Sequence, residues 1–346
     1  MINISNNDVA DIISDKKNLA VRQRERQIMS EQAVDAGIQL VSLGKAGPNW
    51  AASPTLTPAP LTNPLWDFNA CGLPFVWTHY GVHGERVNVF ALDTGIDIYH
   101  PAFTHLGTNL TAKSFVPGLP SPEDGCGHGT WVCGKLGGSG VGIAPNCNLY
   151  SLRVLDDSGT GTADFTNAAL EWILKQDAFP HIINMSLGST IKNSKQEKLL
   201  WQLYKKGALI VVAAGNDGEN ENFYPADYSG VLAVGAVDKN KTRAIFSNFG
   251  ADIAVCAPGV ACYSAYLGGG FRQLQGTSMA APMVAGLLTL GVSYALSKGA
   301  TAGVELRDRI TSALEGSAQD LGAKGKDPYY GFGCIDGIGF LKKLEG

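Results

Sequence analysis

Four short stretches place chemistry-bearing side chains beside glycine. "ALDTGID" carries Asp93, "GCGHGT" carries His128, "VAAGND" carries Asn216 and "GTSMAAP" carries Ser278. An acid, an imidazole, an amide and a hydroxyl are the set that acyl transfer needs. A serine hydroxyl is a weak nucleophile until a base takes its proton, and an imidazole is that base once a carboxylate holds its tautomer. On this reading Ser278 attacks a carbonyl, His128 takes the proton and returns it to the leaving amine, and Asp93 orients the ring. The amide of Asn216 and the backbone N–H of Ser278 receive the charge that develops on the attacked oxygen. A plainer reading stands beside it, because Ser and Thr cap helices by accepting from a free backbone N–H. Capping accounts for Ser278 alone and leaves the other three residues unexplained. Gly276 and Ala280 leave the hydroxyl accessible, and Pro282 falls in or near the first turn, where a missing N–H is tolerated.

Such residues need a frame. From about residue 85, apolar runs ("VNVFAL", "NLYSLRVL", "IINMSL", "ALIVVAA", "GVLAVGAV", "IAVCAPG") alternate with helical stretches ("TADFTNAALEWILKQ", "SKQEKLLWQLYKKG" and the segment after Ser278). Continuously apolar strands separated by helices predict an α/β fold with a mostly parallel central sheet and helices on both faces. In such sheets working residues gather at the carboxyl ends of strands, where Asp93 and Asn216 stand.

The order Asp93, His128, Ser278 and the stretches "ALDTGID", "GHGTWVCG", "VAAGND" and "GTSMAAP" resemble the subtilisin-like serine proteases, the subtilases. The resemblance covers residues 65–346 and implies a subtilisin-like catalytic domain and a serine endopeptidase working through an Asp-His-Ser triad and an acyl-enzyme. Separations of 35, 88 and 62 residues along the series Asp93, His128, Asn216, Ser278 leave no room for the inserted element of subtilase-like peptide macrocyclases. The resemblance further implies substrate-binding roles for Ser186, Leu187 and Gly188 in "MSLGS", as one wall of the first specificity pocket. Ser158, Gly159 and Thr160 in "DDSGTG" would pair with substrate backbone as an added strand. Phe223 stands where the family usually has a small residue at the pocket floor. If its ring points inward the pocket is shallow and prefers small side chains; if it points away nothing follows. Asp217 offers a competing preference for a basic side chain.

The family needs no cofactor for its chemistry, and its members often hold structural calcium. Here Ala102 stands in "GIDIYHPAF" where a calcium-binding aspartate is expected, and the histidine's helix is too short for the usual calcium loop, so the common strong site is expected to be absent. Weaker sites leave no sequence mark, because backbone carbonyls can be ligands. Trp131 replaces a frequent histidine, either as a packing difference or as a cleft wall. Cys126 and Cys133 flank His128. Buried unpaired thiols are the default there, against a redox brake or a zinc cluster that lacks a fourth ligand. Cys256 and Cys262 are near enough in sequence to pair.

Residues 1–47 read differently. Val9, Ile12 and Ile13 recur at helical spacing, "RQRERQIMSEQAVDAG" reads as a charged helix, and "IQLVSLG" as a short strand. Residues 48–64 form a linker rich in proline. The front extension, residues 1–60 in all, is expected to be an inhibitory propeptide removed on maturation, with permanent docking of a partner as its rival. A dedicated leader-peptide-processing protease and a catalytically inactive subtilase-like binding protein are the alternative functions. The chain of 346 residues carries a net charge of −4 and no long basic run, which argues against a nucleic-acid partner. No run approaches the length of a membrane span. The partners expected are a peptide or protein substrate and the chain's own extension. "MINISNNDVADIISDKK" is no secretory leader, and seven cysteines cannot all pair internally, so a cytoplasmic location is expected, or a secreted one if a leader precedes residue 1.

Overall fold

The computed structural model describes residues 40–42, 65–176 and 180–345. The helical readings within residues 1–39 and the linker lie outside them. The described residues from Val41 onward belong to one compact unit.

The first strand, β1 (Leu40–Ser42), matches the short strand read in "IQLVSLG". Two helices follow, α1 (Trp66–Ala70) and α2 (Leu73–Tyr80), then β2 (Asn88–Asp93), a 3-10 segment over Pro101–Asn109, and β3 (Leu110–Ser114). Helix α3 (His128–Gly137), β4 (Asn148–Arg153), β5 (Thr160–Thr162) and α4 (Ala163–Leu174) come next. The chain continues through β6 (His181–Met185), α5 (Ser194–Lys205), β7 (Leu209–Ala213), β8 (Leu232–Val237) and β9 (Ile253–Pro258). It closes with the hairpin β10 (Cys262–Tyr266) and β11 (Gly270–Leu274), α6 (Thr277–Ser297), α7 (Val304–Ser317) and α8 (Gly337–Glu345).

Seven strands form one parallel sheet in the order β3-β4-β2-β6-β7-β8-β9. Alternate residues of the central strands feed two separate cores, as a period of two requires. Val89, Ala91, Ile182 and Val211 pack with Trp131, Met283 and Leu287 from α3 and α6 on one face. Phe90, Leu92, Ile183, Ile210 and Val212 pack with Leu170, Ile173, Leu200 and Leu203 from α4 and α5 on the other. Every run quoted above as apolar and alternating with helices is a strand of this sheet. The expected α/β fold with helices on both faces is the observed one.

Strand order places the working edge. From β2 the chain builds β4 and β3 on one side and β6 to β9 on the other, so its connections part at the carboxyl end of β2 and open a crevice there.

Helix α6 corrects one expectation. By length and composition, with a mean hydropathy of 1.6, it could cross a membrane, yet all of that stretch is buried inside the protein. Its apolar face runs all the way round because it threads between the sheet and the outer helices, as a core helix does.

Candidate active site

Asp93 ends β2, and its carboxylate faces the first residue of α3. His128 Nδ1 lies 2.8 Å from Oδ1 and 3.0 Å from Oδ2 of Asp93. An ionised carboxylate only accepts, so Nδ1 carries the proton and Nε2 is left as the lone-pair nitrogen. Asp93 is 1% exposed and His128 7%, which puts the pair at the inner edge of the crevice. Oδ1 of Asp93 also accepts from the Thr94 N–H at 2.7 Å.

A residue missed in the sequence holds this pair in register. Asp124, four positions before His128, accepts with Oδ1 from the Thr94 hydroxyl and from the N–H groups of Cys126 and Gly127, each at 2.9 Å. Its Oδ2 accepts from the N–H and hydroxyl of Thr130 at 2.8 and 2.7 Å. The Thr94 hydroxyl accepts in turn from the Gly129 N–H at 2.8 Å. One carboxylate thus ties the end of β2 to the first turn of α3 and satisfies N–H groups that a helix start leaves free. The available signal was the acid just ahead of a small-residue helix start.

Ser278 is the second residue of α6 and 4% exposed. Its hydroxyl donates to the Ser186 carbonyl at 3.3 Å. Asn216 follows β7, and its Oδ1 accepts from the Thr277 N–H at 2.8 Å and from the Thr277 hydroxyl at 3.0 Å. With the oxygen so engaged, the amide's donors belong to its other end. Thr277, which the sequence reading passed over, also accepts from the Gly215 N–H at 3.1 Å and so joins the two segments.

The substrate-binding candidates divide. Ser158, Gly159 and Thr160 form a tight turn into β5, with Gly159 at φ +74° and Oδ1 of Asp156 accepting from the N–H groups of Ser158 and Thr160. Strand β5 forms a two-stranded sheet with β1. Ser186 and Leu187 are buried. Gly188 meets the Phe223 ring so closely that a β-carbon there would lie 2.2 Å from Cε1. The ring is buried and also stands beside Gly215. Asp217 is held through its own N–H, which donates to Asn248 at 2.8 Å.

Trp131 is fully buried, its Nε1–H donating to the Arg272 carbonyl at 2.9 Å, which is packing and not a cleft wall. All seven cysteines are buried and none is in a disulfide, Cys256 and Cys262 included. Burial first, then the nearby Asp93 charge, pushes the Cys133 thiol far above its ordinary range, so it stays protonated despite its place behind the pair. A redox brake at Cys133 has no thiolate to work with.

At Ala102 the residues do not fit a calcium ion. No side-chain oxygen is offered, the carbonyl accepts from the Ser139 N–H at 2.8 Å, and the N–H donates to His100 Nδ1 at 3.0 Å. Among the described residues no group of three or more His, Cys, Asp or Glu could hold a metal.

Comparison with known proteins adds a family. The model of the subtilase family matches residues 84–333. Subtilisin DY of Bacillus licheniformis is 40% identical over 265 residues, which is 74% of this chain and 91% of that protein. Subtilisin Savinase of Lederbergia lenta is 41% identical over 61% of this chain and 77% of its own length. An alkaline protease of Alkalihalobacillus alcalophilus is 41% identical over the same share of this chain, which spans 55% of that protein. These relatives are secreted extracellular enzymes, and they overturn the cytoplasmic location expected from the sequence. The cysteine count could not carry that expectation, because thiols sealed in a core are indifferent to the redox state outside.

Proposed function

The chain belongs to the subtilase family of serine endopeptidases, and from that premise we propose that Asp93, His128 and Ser278 carry its chemistry. Ser278 Oγ attacks the scissile carbonyl while His128 Nε2 takes the hydroxyl proton. The tetrahedral intermediate collapses, the C–N bond breaks, and the same proton passes to the leaving amine. Water then attacks the acyl-enzyme by the same route, with His128 again accepting and returning a proton. Asp93 keeps Nδ1–H in place and stabilises the ring while it is charged.

The oxyanion would lie between the NH2 of Asn216 and the N–H of Ser278. The start of α6 supplies free N–H groups and a partial positive charge there. The Ser278 hydroxyl donates to the Ser186 carbonyl, so attack requires it to turn from Ser186 to His128; catalytic hydrogen bonds often tighten only in the complex.

Two finer readings follow. The first concerns specificity: the Phe223 ring against Gly188 and Gly215 supports a shallow first pocket that takes small side chains. The second concerns regulation. Strand β1, Leu40–Ser42, pairs with β5, the strand expected to receive substrate backbone, which supports residues 1–60 as an inhibitory extension removed on maturation.

The observation that carries the proposal is the contact of His128 Nδ1 with both oxygens of a buried carboxylate at a strand end. The test follows intact mass over time for the full chain and for Ser278→Ala, with fluorophosphonate labelling of each. The wild type is expected to take the label and shed an N-terminal piece, and the variant to do neither. Label on the variant would sink the nucleophile assignment. A labelled wild type that never shortens, and gains no activity when residues 1–60 are deleted, would sink the inhibitory extension alone.

A further inference from the structure

A helix carbonyl ordinarily accepts from the N–H four residues on. For Ser278 that partner is residue 282, and Pro282, inside α6, has no N–H. A proline ring also crowds the carbonyl four residues back, and the nucleophile's own turn lacks one bond at that point. The Ser278 carbonyl is nonetheless satisfied. The Ser186 hydroxyl, one residue beyond β6, donates to it at 3.0 Å. Asn184 Nδ2, on β6, donates to that same hydroxyl at 3.0 Å. The hydroxyl has a single proton, and an incoming N–H from Asn184 leaves it to point at Ser278.

We infer that Ser186 and Asn184 are positioning residues that supply, from the sheet, the hydrogen bond Pro282 removes from the nucleophile's turn. The inference rests on Ser278 as nucleophile. Ser278 is held from both flanks. The N–H of Thr277, ahead of it, is bound by Asn216, and its own carbonyl, behind it, is bound by Ser186. Fixing the backbone on both sides fixes the Cα–Cβ direction, and with it where Oγ can reach. Ser186 and Asn184 are both fully buried, and the hydroxyl of the one and the amide N–H of the other are spent on this chain of hydrogen bonds. This role of the Ser186 hydroxyl stands beside the pocket-wall role that family resemblance implied for the segment. A proline at residue 282 has a purpose on this view: it frees the Ser278 carbonyl for a donor on the sheet that carries the rest of the crevice.

Steady-state kinetics of Ser186→Ala, Pro282→Ala and the double variant test this on substrates with small and with large side chains before the cut. Ser186→Ala is expected to lower kcat about tenfold with KM unchanged and with the same factor for every substrate, as a small misplacement of a reacting group does. Adding Pro282→Ala returns an N–H to the turn, so the double variant should exceed Ser186→Ala alone. Asn184→Ala, which frees the hydroxyl proton to rotate, should lose activity in the same pattern and serves if Ser186→Ala does not fold. Wild-type kcat in Ser186→Ala and Asn184→Ala, a loss confined to KM and varying with substrate, or a double variant no better than the single would overturn the positioning role. Ser278→Ala run alongside separates the premise: if it retains activity the nucleophile assignment fails, and if it is dead while Ser186→Ala is normal only the positioning role fails.

Discussion

A β-carbon on Gly188 would lie 2.2 Å from Cε1 and 2.6 Å from Cζ of Phe223, so the two residues are in full contact across 35 positions of chain. An antiparallel bridge one residue further on in each segment keeps them there. Ser189 N–H donates to the Tyr224 carbonyl at 2.8 Å, and Tyr224 N–H to the Ser189 carbonyl at 2.7 Å. The ring fills space between the chain leaving β6 and the chain leaving β7.

Removing that ring should open the pocket. Phe223→Ala is expected to raise kcat/KM for substrates with Phe or Leu before the cut, relative to Ala, by about 10- to 100-fold, the worth of burying a large apolar side chain. Stability should fall by about 3 kcal/mol for the cavity left behind. A peptide series read by kcat/KM decides it, and an unmoved preference would show that the ring is not the pocket floor.

Lys135 and Asp67 form a fully buried ion pair at 2.7 Å, with the Lys135 ammonium 4.4 Å above the Phe68 ring. The pair fastens α1 to the helix that begins with His128. Lys135→Met should cost about 3–5 kcal/mol, because it strands the Asp67 charge in the core. Lys135→Met with Asp67→Leu should recover most of that loss, since the stranded charge goes too. Denaturant midpoints of both variants measure the difference, and equal losses in the two would remove the charge argument.

Glu85 gives the acid limb of stability a partial cause. Burial pushes its carboxyl up, but hydrogen bonds from the Asn146 side chain, the backbone and the Ser293 hydroxyl together outweigh burial and hold it below its ordinary value of 4.5. A lowered folded-state value means that the unfolded chain binds the proton first. The stabilisation is therefore complete above about 4.5 and drains away as pH falls through the lowered value. Glu85→Gln should leave a shallower fall of Tm with acid between pH 5 and pH 3, by about the margin one partly exposed carboxyl allows. Parallel Tm–pH curves for variant and wild type would show that Glu85 does not contribute.

Much of the frame was open to reading because its signals are local. A strand buried on both faces must be apolar throughout, and six of the strands in the parallel sheet announce themselves that way. Strand β3, "LTAKS", does not, since it lies at the sheet edge with polar positions half open to water. The hairpin β10–β11 escaped notice for a related reason: it packs over α3 and β11 is largely uncovered, so no long apolar run marks it. The candidate chemical residues stood out because glycine, a strand end and a helix start leave marks within a few positions of Asp93, His128, Asn216 and Ser278.

By itself the sequence determined the α/β class and singled out four candidate side chains with the strand ends and helix starts that bear them. Only tertiary structure decided which of them touch and what holds them. His128 meets Asp93 because β2 and the start of α3 are bound through Asp124. Phe223 lies on Gly188 beside the bridge between Ser189 and Tyr224, and the Ser186 hydroxyl donates to the Ser278 carbonyl. Sequence patterns report a residue's immediate neighbours along the chain. Hydrogen bonds between Ser186 and Ser278, 92 residues apart, depend on the register of a sheet and the path of a helix, which no local pattern records.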